Sequence, residues 1–308
     1  MSKKINDKIN DKIDEEINKI IGKTKDKNIK DTLILSGGGS AGILYAGVFK
    51  ALDELHILKN IKTIIGVSAG TLYSFMYLLG YTVKEIEKFA ETFDGKKLTS
   101  IKNLENLSFD KILIEYGLDN GESFKKVFSK IVKQKKINPN ITLLEFYKLN
   151  KIKFIICVTN IDMLKEEYFS FDSTPNIKVF DAIRATISIP LYFTPHKIND
   201  KLYIDGGCMN NFPINHPEIN INNTIAIMIS NPINKSLNNN FINYLLNILK
   251  SMSLGWRYCL TRGFNDKCII IDSEVNNIFN FGIDIKERKR LIKLGYDSII
   301  NSNLNHHH

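Results

Sequence analysis

From Asp31 onward the chain alternates short apolar runs with stretches of helical period. The runs at Thr32–Ser36, Lys62–Val67, 153–159, 166–171, 201–205, 224–230 and 267–272 predict strands. They are rich in Ile, Val, Leu and Phe and bounded by turn-forming residues. Ala41–Leu55, Ala69–Leu79, 83–93, 122–134, 142–149, 239–262 and 286–302 predict helices. Strands separated by helices favour a mostly parallel sheet covered on both faces. The expected fold class is therefore α/β, with three layers. Residues 95–121 are the least regular and read as a surface insertion.

Residues 1–30 follow another pattern. Ile5, Ile9, Ile13, Ile17 and the pair Ile20 and Ile21 recur at helical spacing among Lys, Asp, Glu and Asn. One amphipathic helix with a narrow apolar stripe is the simplest reading. It either lies on a membrane surface, docks on the domain or frays. Its six acidic residues against nine Lys weaken the membrane reading. The expected organisation is an extension at 1–30, a catalytic domain at 31–304 and a tag remnant at 305–308. His306, His307 and His308 belong to that remnant.

Thr63–Val83 contains no charged residue and is long enough to span a bilayer. Gly66, Ser68, Gly70, Ser74 and Gly80 interrupt it, so a buried strand turning into a buried helix is the preferred reading. No signal-peptide stretch opens the chain, and a cytoplasmic protein, peripheral at membranes if it meets them, is expected. The formal net charge is +9, nearly all from Lys. No dense basic arm with interleaved aromatics points to nucleic acid. Cys157, Cys208, Cys259 and Cys268 show no CxxC spacing, which excludes a zinc or disulfide framework as the working hypothesis. Neither a metal nor a cofactor is expected.

Three short segments carry chemistry. In the first, Ser36-Gly37-Gly38-Gly39-Ser40-Ala41-Gly42 joins a strand to a helix. Successive glycines expose backbone N–H groups, and the helix start adds further unpaired donors, so the loop suits negative charge. Gly37, Gly39 and Gly42 also fit a dinucleotide fingerprint. That fingerprint wants an acidic residue about 20 positions on, at the end of the second strand. Asp53 and Glu54 are at that distance but fall in the first helix.

In the second, Gly66-Val67-Ser68-Ala69-Gly70 places a serine between strand and helix, the nucleophile-elbow pattern. In the third, Leu202-Tyr203-Ile204-Asp205-Gly206-Gly207 ends a strand-like run in a carboxylate. A serine needs a base within hydrogen-bond reach, and Asp205 can supply one. An Asp-Gly turn between strands is the structural alternative.

With these segments in this order the chain resembles the patatin-like phospholipases, from about Asp31 to Pro213. The block Arg184-Ala185-Thr186-Ile187-Ser188-Ile189-Pro190 resembles that family's helix end before its base. The resemblance implies Ser68 as nucleophile, Asp205 as base and an oxyanion hole of Gly37, Gly38 and Gly39 N–H groups. Gly42, Gly66, Gly70, Gly206 and Gly207 are the motif glycines. It implies hydrolysis of acyl esters of phospholipids through an acyl-enzyme, with no metal. One departure is Ala41, where the family often carries Arg or Lys. Phe75, Met76, Leu191, Tyr192, Phe193 and Phe212 are candidates to line an acyl cleft, and Trp256 to touch a membrane interface. Two alternatives stay open: a Ser68-Asp205-His216 triad on an α/β-hydrolase fold, with His56 and His196 no better placed, and a non-catalytic lipid-binding module.

Overall fold

In the computed structural model, residues 29–101, 109–230, 267–275, 277 and 279–302 are described, with isolated positions between 244 and 255. The expected N-terminal helix, Trp256 and most of the expected 239–262 helix lie outside the described residues.

In chain order the elements begin with β1 (Thr32–Leu35), a 3-10 turn (Gly39–Leu44), α1 (Tyr45–Glu54), β2 (Thr63–Gly66) and α2 (Ala69–Leu78). Then come α3 (Val83–Thr92), α4 (Phe109–Glu115), β3 (Gly117–Asp119), α5 (Glu122–Gln134) and α6 (Leu143–Asn150). β4 (Lys153–Asn160), β5 (Lys165–Phe169), α7 (Val179–Thr186), β6 (Leu191–Phe193), β7 (His196–Ile198) and β8 (Lys201–Asp205) follow. The last are α8 (Gly207–Asn210), β9 (Thr224–Ser230), β10 (Cys268–Asp272) and α9 (Ile285–Ile300).

An eight-stranded sheet runs β10-β9-β1-β2-β4-β8-β7, with β5 also paired to β4. β10, β9, β1, β2 and β4 are mutually parallel; β5, β8 and β7 join antiparallel. The strand alternation sends Leu33, Leu35, Ile64 and Ile156 to the core beneath α1, α2 and α9. It sends Ile34, Ile65 and Ile155 to the opposite face, under Phe212 and Ile214. The uncharged stretch beginning at Thr63 is β2 followed by α2, and no helix among the described residues is long and apolar enough to cross a membrane.

Several elements depart from the sequence reading. The first helix begins as a 3-10 turn and becomes α-helical only at Tyr45, because Gly38 and the positive φ of Gly39 shape its start. Part of the 95–121 segment is ordered as α4 and β3, which pairs in parallel with the unforeseen β6. β6 and β7 are three residues each, too short for any period to show. α7 ends at Thr186, inside the block whose resemblance implied a helix end, although its two turns leave too little period to mark its start.

Register places the candidate residues together. Leu35 pairs with Gly66, and Gly66 with Ile156, so the segments after β1 and β2 leave the sheet at one edge. Two residues further along β4, Val158 pairs with Asp205. Ser68, two residues past Gly66, is thereby level with Asp205 across β4.

Candidate active site

Ser68 occupies the turn from β2 to α2 with φ 47 and ψ −116. Such a backbone costs a residue with a side chain on the order of 1–3 kcal/mol, and the surroundings must hold it. Two close approaches do so. A Cβ on Gly70 would stand 2.4 Å from the Leu35 carbonyl oxygen, and one on Gly66 2.8 Å from Thr71 Cα. Only glycines let α2 pack this tightly on β1 and β2.

The Ser68 hydroxyl lies near enough to the Asp205 carboxylate to favour its charged form. Asp205 is 6% exposed, and its Oδ1 accepts the Gly207 N–H at 2.7 Å. Burial pushes the carboxyl up to about 6, and the nearby Ser68 hydroxyl and the Gly207 N–H only partly oppose it. Thr159 Oγ1 donates to the Asp205 carbonyl at 2.9 Å, and the Asp205 N–H donates to the Ser188 carbonyl at 2.9 Å. The backbone carrying the carboxylate is fixed on both sides.

The segment after α7 also grips the serine. The Ser68 N–H donates to Thr186 Oγ1 at 3.0 Å, and Thr186 Oγ1 donates to the Cys157 carbonyl at 2.6 Å. Arg184, 2% exposed, donates to Ser188 Oγ and to the Thr194 carbonyl. Burial lowers its guanidinium to about 10, with the charge of Asp119 opposing that.

The glycine loop faces the same point. A Cβ on Gly37 would stand 3.3 Å from Ser68 Cβ. However, the Gly37 N–H donates to the Asn211 carbonyl at 3.3 Å, which ties this loop to the one following Asp205. The N–H groups of Gly38 and Gly39 have no hydrogen-bond partner among the described residues. Of the three donors expected from sequence, Gly37 is therefore taken within the protein and two are left unpaired among the described residues.

Apolar space adjoins the serine. A cavity of about 40 Å³ is lined by Ser68, Gly39, Leu98, Ile187, Ile189 and Phe193, among others. A second, of about 120 Å³, shares Gly39, Ala69, Leu72, Leu98, Phe124 and Phe281 with it and extends between α2, α3 and α5. Phe75, Met76 and Phe193 line these spaces as the sequence suggested. Phe212 does not; it packs on the other face of the sheet. Leu191 and Tyr192 are likewise absent from both walls, Tyr192 stacking on Phe279.

The histidines are elsewhere. His216 Nδ1 accepts the Glu218 N–H at 3.3 Å, and its ring meets Tyr168 edge-on. His196 bonds Asp181 at 2.9 Å. Neither has Ser68 or Asp205 as a partner.

Residues 33–217 match the family model of patatin-like phospholipases. The chain belongs to the patatin-like phospholipase family. Among curated relatives, a probable lipid hydrolase of Invertebrate iridescent virus 6 is 36% identical over 206 residues, 66% of each chain. An uncharacterized protein of Acanthamoeba polyphaga mimivirus is 28% identical over 293 residues, 90% of this chain and 94% of its own length. The solved structure of VipD from Legionella pneumophila overlays with a TM-score of 0.63 at 18% identity, covering 91% of this chain and 67% of that one. That likeness speaks to the fold.

Three site residues escaped the sequence reading of individual roles. Thr186 lies inside the quoted block before Pro190, but nothing local marks its hydroxyl as the partner of Ser68. Asn211 closes on Gly37 from a distant segment. Arg288, in the first turn of α9, borders the larger cavity with no motif around it.

Proposed function

We propose that this protein is a lipid acyl hydrolase, with its catalytic unit at 31–304, cleaving fatty-acyl esters of phospholipids. The observation that carries this is the meeting of the Ser68 hydroxyl, on a strained elbow, with the buried Asp205 carboxylate beside a bare glycine loop and an apolar cavity. Asp205 takes the Ser68 proton as Oγ bonds to the ester carbonyl carbon. The carbonyl electron pair moves onto oxygen, which the Gly38 and Gly39 N–H groups receive; one such donor is worth about 3–4 kcal/mol in related holes. As the tetrahedral species collapses, the carbon–oxygen bond to the alcohol breaks, and that oxygen leaves with the proton from Asp205. Water then gives a proton to Asp205, attacks the acyl-serine and releases the fatty acid, returning the proton to Ser68 Oγ. The apolar cavity supports an acyl chain beside the ester. A lysophospholipase nte1 of Aspergillus fumigatus, 26% identical over 184 residues that make up 11% of its length, supports the lipid-ester class.

The test is incubation with mixed-acyl phosphatidylcholine of the native protein, Ser68→Ala and Asp205→Ala. Release of fatty acid by the native protein alone supports the reading. Equal release by all three places the chemistry elsewhere, and no release by a folded, lipid-binding protein favours the non-catalytic module.

A further inference from the structure

The larger cavity is walled almost wholly by apolar side chains, yet one cation stands on it. Arg288 is 8% exposed and borders the cavity together with Gly39, Ser40, Tyr73 and Phe281. Its Nε donates to the Ile283 carbonyl at 2.7 Å and its Nη1 to the Glu91 carbonyl at 3.1 Å. A guanidinium carries five N–H groups, so these two carbonyls take only part of its capacity. Arg290, two residues on in α9, pairs with Glu287 and Glu274. Arg288 takes part in no ion pair among the described residues, although an uncompensated buried charge is costly. The last turn of α3, which ends at Thr92, offsets part of that cost through the Glu91 carbonyl.

Tyr73 stands on the same wall. Burial holds its phenol protonated far above neutral pH, and the charge of Arg288 opposes this. Its hydroxyl has no hydrogen-bond partner among the described residues. The side chains able to donate into this wall are the guanidinium, the neutral phenol and the Ser40 hydroxyl, which already donates to the Asn277 carbonyl, and no carboxylate is among the lining residues. That donor set suits an anionic oxygen group. Arg288 is the charged residue among those lining this cavity, which begins at Gly39 beside Ser68.

We propose that Arg288 and Tyr73 form an anion site in the apolar cavity, holding the ionised head of a single-chain amphiphile whose tail fills the space beside Ser68. The head is a carboxylate, from a released fatty acid, or a phosphate, from a lysophospholipid. The inference extends the hydrolase reading, but binding is measured without turnover, so the two fail separately.

The experiment uses the Ser68→Ala protein and two matched probe pairs below their micelle concentrations: oleate against oleyl alcohol, and oleoyl lysophosphatidic acid against monooleoylglycerol. Affinities are read by calorimetry. At least one anionic member is expected to bind about tenfold more tightly than its neutral partner, a difference of about 1.4 kcal/mol. Adding Arg288→Met should abolish that preference while changing the neutral probes less than about twofold, and Tyr73→Phe, which keeps the ring, should reduce it. A preference confined to oleate assigns the site to the product, and one confined to the phosphate assigns it to the lysolipid. Equal binding within both pairs, or a preference that survives Arg288→Met, overturns the proposal. Should Arg288→Met fail to fold, the probe pairs and Tyr73→Phe still decide it.

Discussion

Thr186 Oγ1 accepts the Ser68 N–H at 3.0 Å while giving its own proton to the Cys157 carbonyl at 2.6 Å. Both partners allow one arrangement only, since an N–H can only donate and a carbonyl can only accept. The hydroxyl therefore pins the strained elbow to β4. Thr186→Val keeps the shape and removes both bonds. It should lower kcat by about tenfold or more with little change in KM, because an unmade buried bond costs roughly 1–3 kcal/mol and the loss falls on serine alignment. Thr186→Ser should restore most of the rate. A Thr186→Val enzyme with native kcat contradicts this positioning role.

In the proposed dyad Asp205 must be ionised to take the serine proton, and burial raises its carboxyl to about 6. Activity should accordingly rise with pH through about 6 and level off above it. Stability runs the other way. A carboxyl whose folded value is raised favours the protonated form, so its contribution is complete below the unfolded value near 4 and is lost as pH rises through about 6. Over that interval the loss reaches roughly 3 kcal/mol. Asp205→Asn, which has no charge to bury, should therefore melt higher than the native protein at pH 8 and lose that advantage by pH 4. Thermal melts at the two pH values measure this, and an unchanged difference refutes it.

The close passage of α2 over β1 gives a prediction for stability. A Cβ on Gly70 would stand 2.4 Å from the Leu35 carbonyl and 2.7 Å from that of Ser36, both backbone atoms with little room to yield. Gly70→Ala should cost about 2–3 kcal/mol, as overpacking does, visible as a lowered denaturation midpoint. A native midpoint would show that the elbow is looser than these distances require.

His216 is turned to Tyr168 and the Glu218 N–H, away from Ser68 and Asp205. His216→Ala should retain most activity, within about threefold, as a substitution outside the reacting groups. A thousandfold loss would replace the dyad by a triad.

The strands were legible because each long one is a mostly apolar run closed or followed by Ser, Gly or Asn; β1, β2, β4 and β9 fall where the pattern puts them. What escaped was set by tertiary pairing. β3 and β6 exist because Gly117 and Asp119 meet Leu191 and Phe193, partners distant in sequence. The site behaved the same way. Ser68, Asp205 and the glycines announced themselves through rare local combinations. That the Gly37 N–H is taken by Asn211, or that Leu72, Phe124 and Phe281 wall the cavity with Phe75, depends on packing that no local spacing encodes. Phe212 was misread for the same reason, since an aromatic beside Asp205 can face either side of the sheet.

The central claim is that Ser68 is a nucleophile activated by Asp205. Treating the folded protein with a long-chain alkyl fluorophosphonate and weighing it intact tests this most directly. The account predicts one adduct, mapped to Ser68, absent in Ser68→Ala and formed at least about a hundredfold more slowly in Asp205→Ala, in keeping with the usual worth of a positioned base. Labelling that is equally fast in all three proteins, or an adduct mapped to another residue, would contradict it.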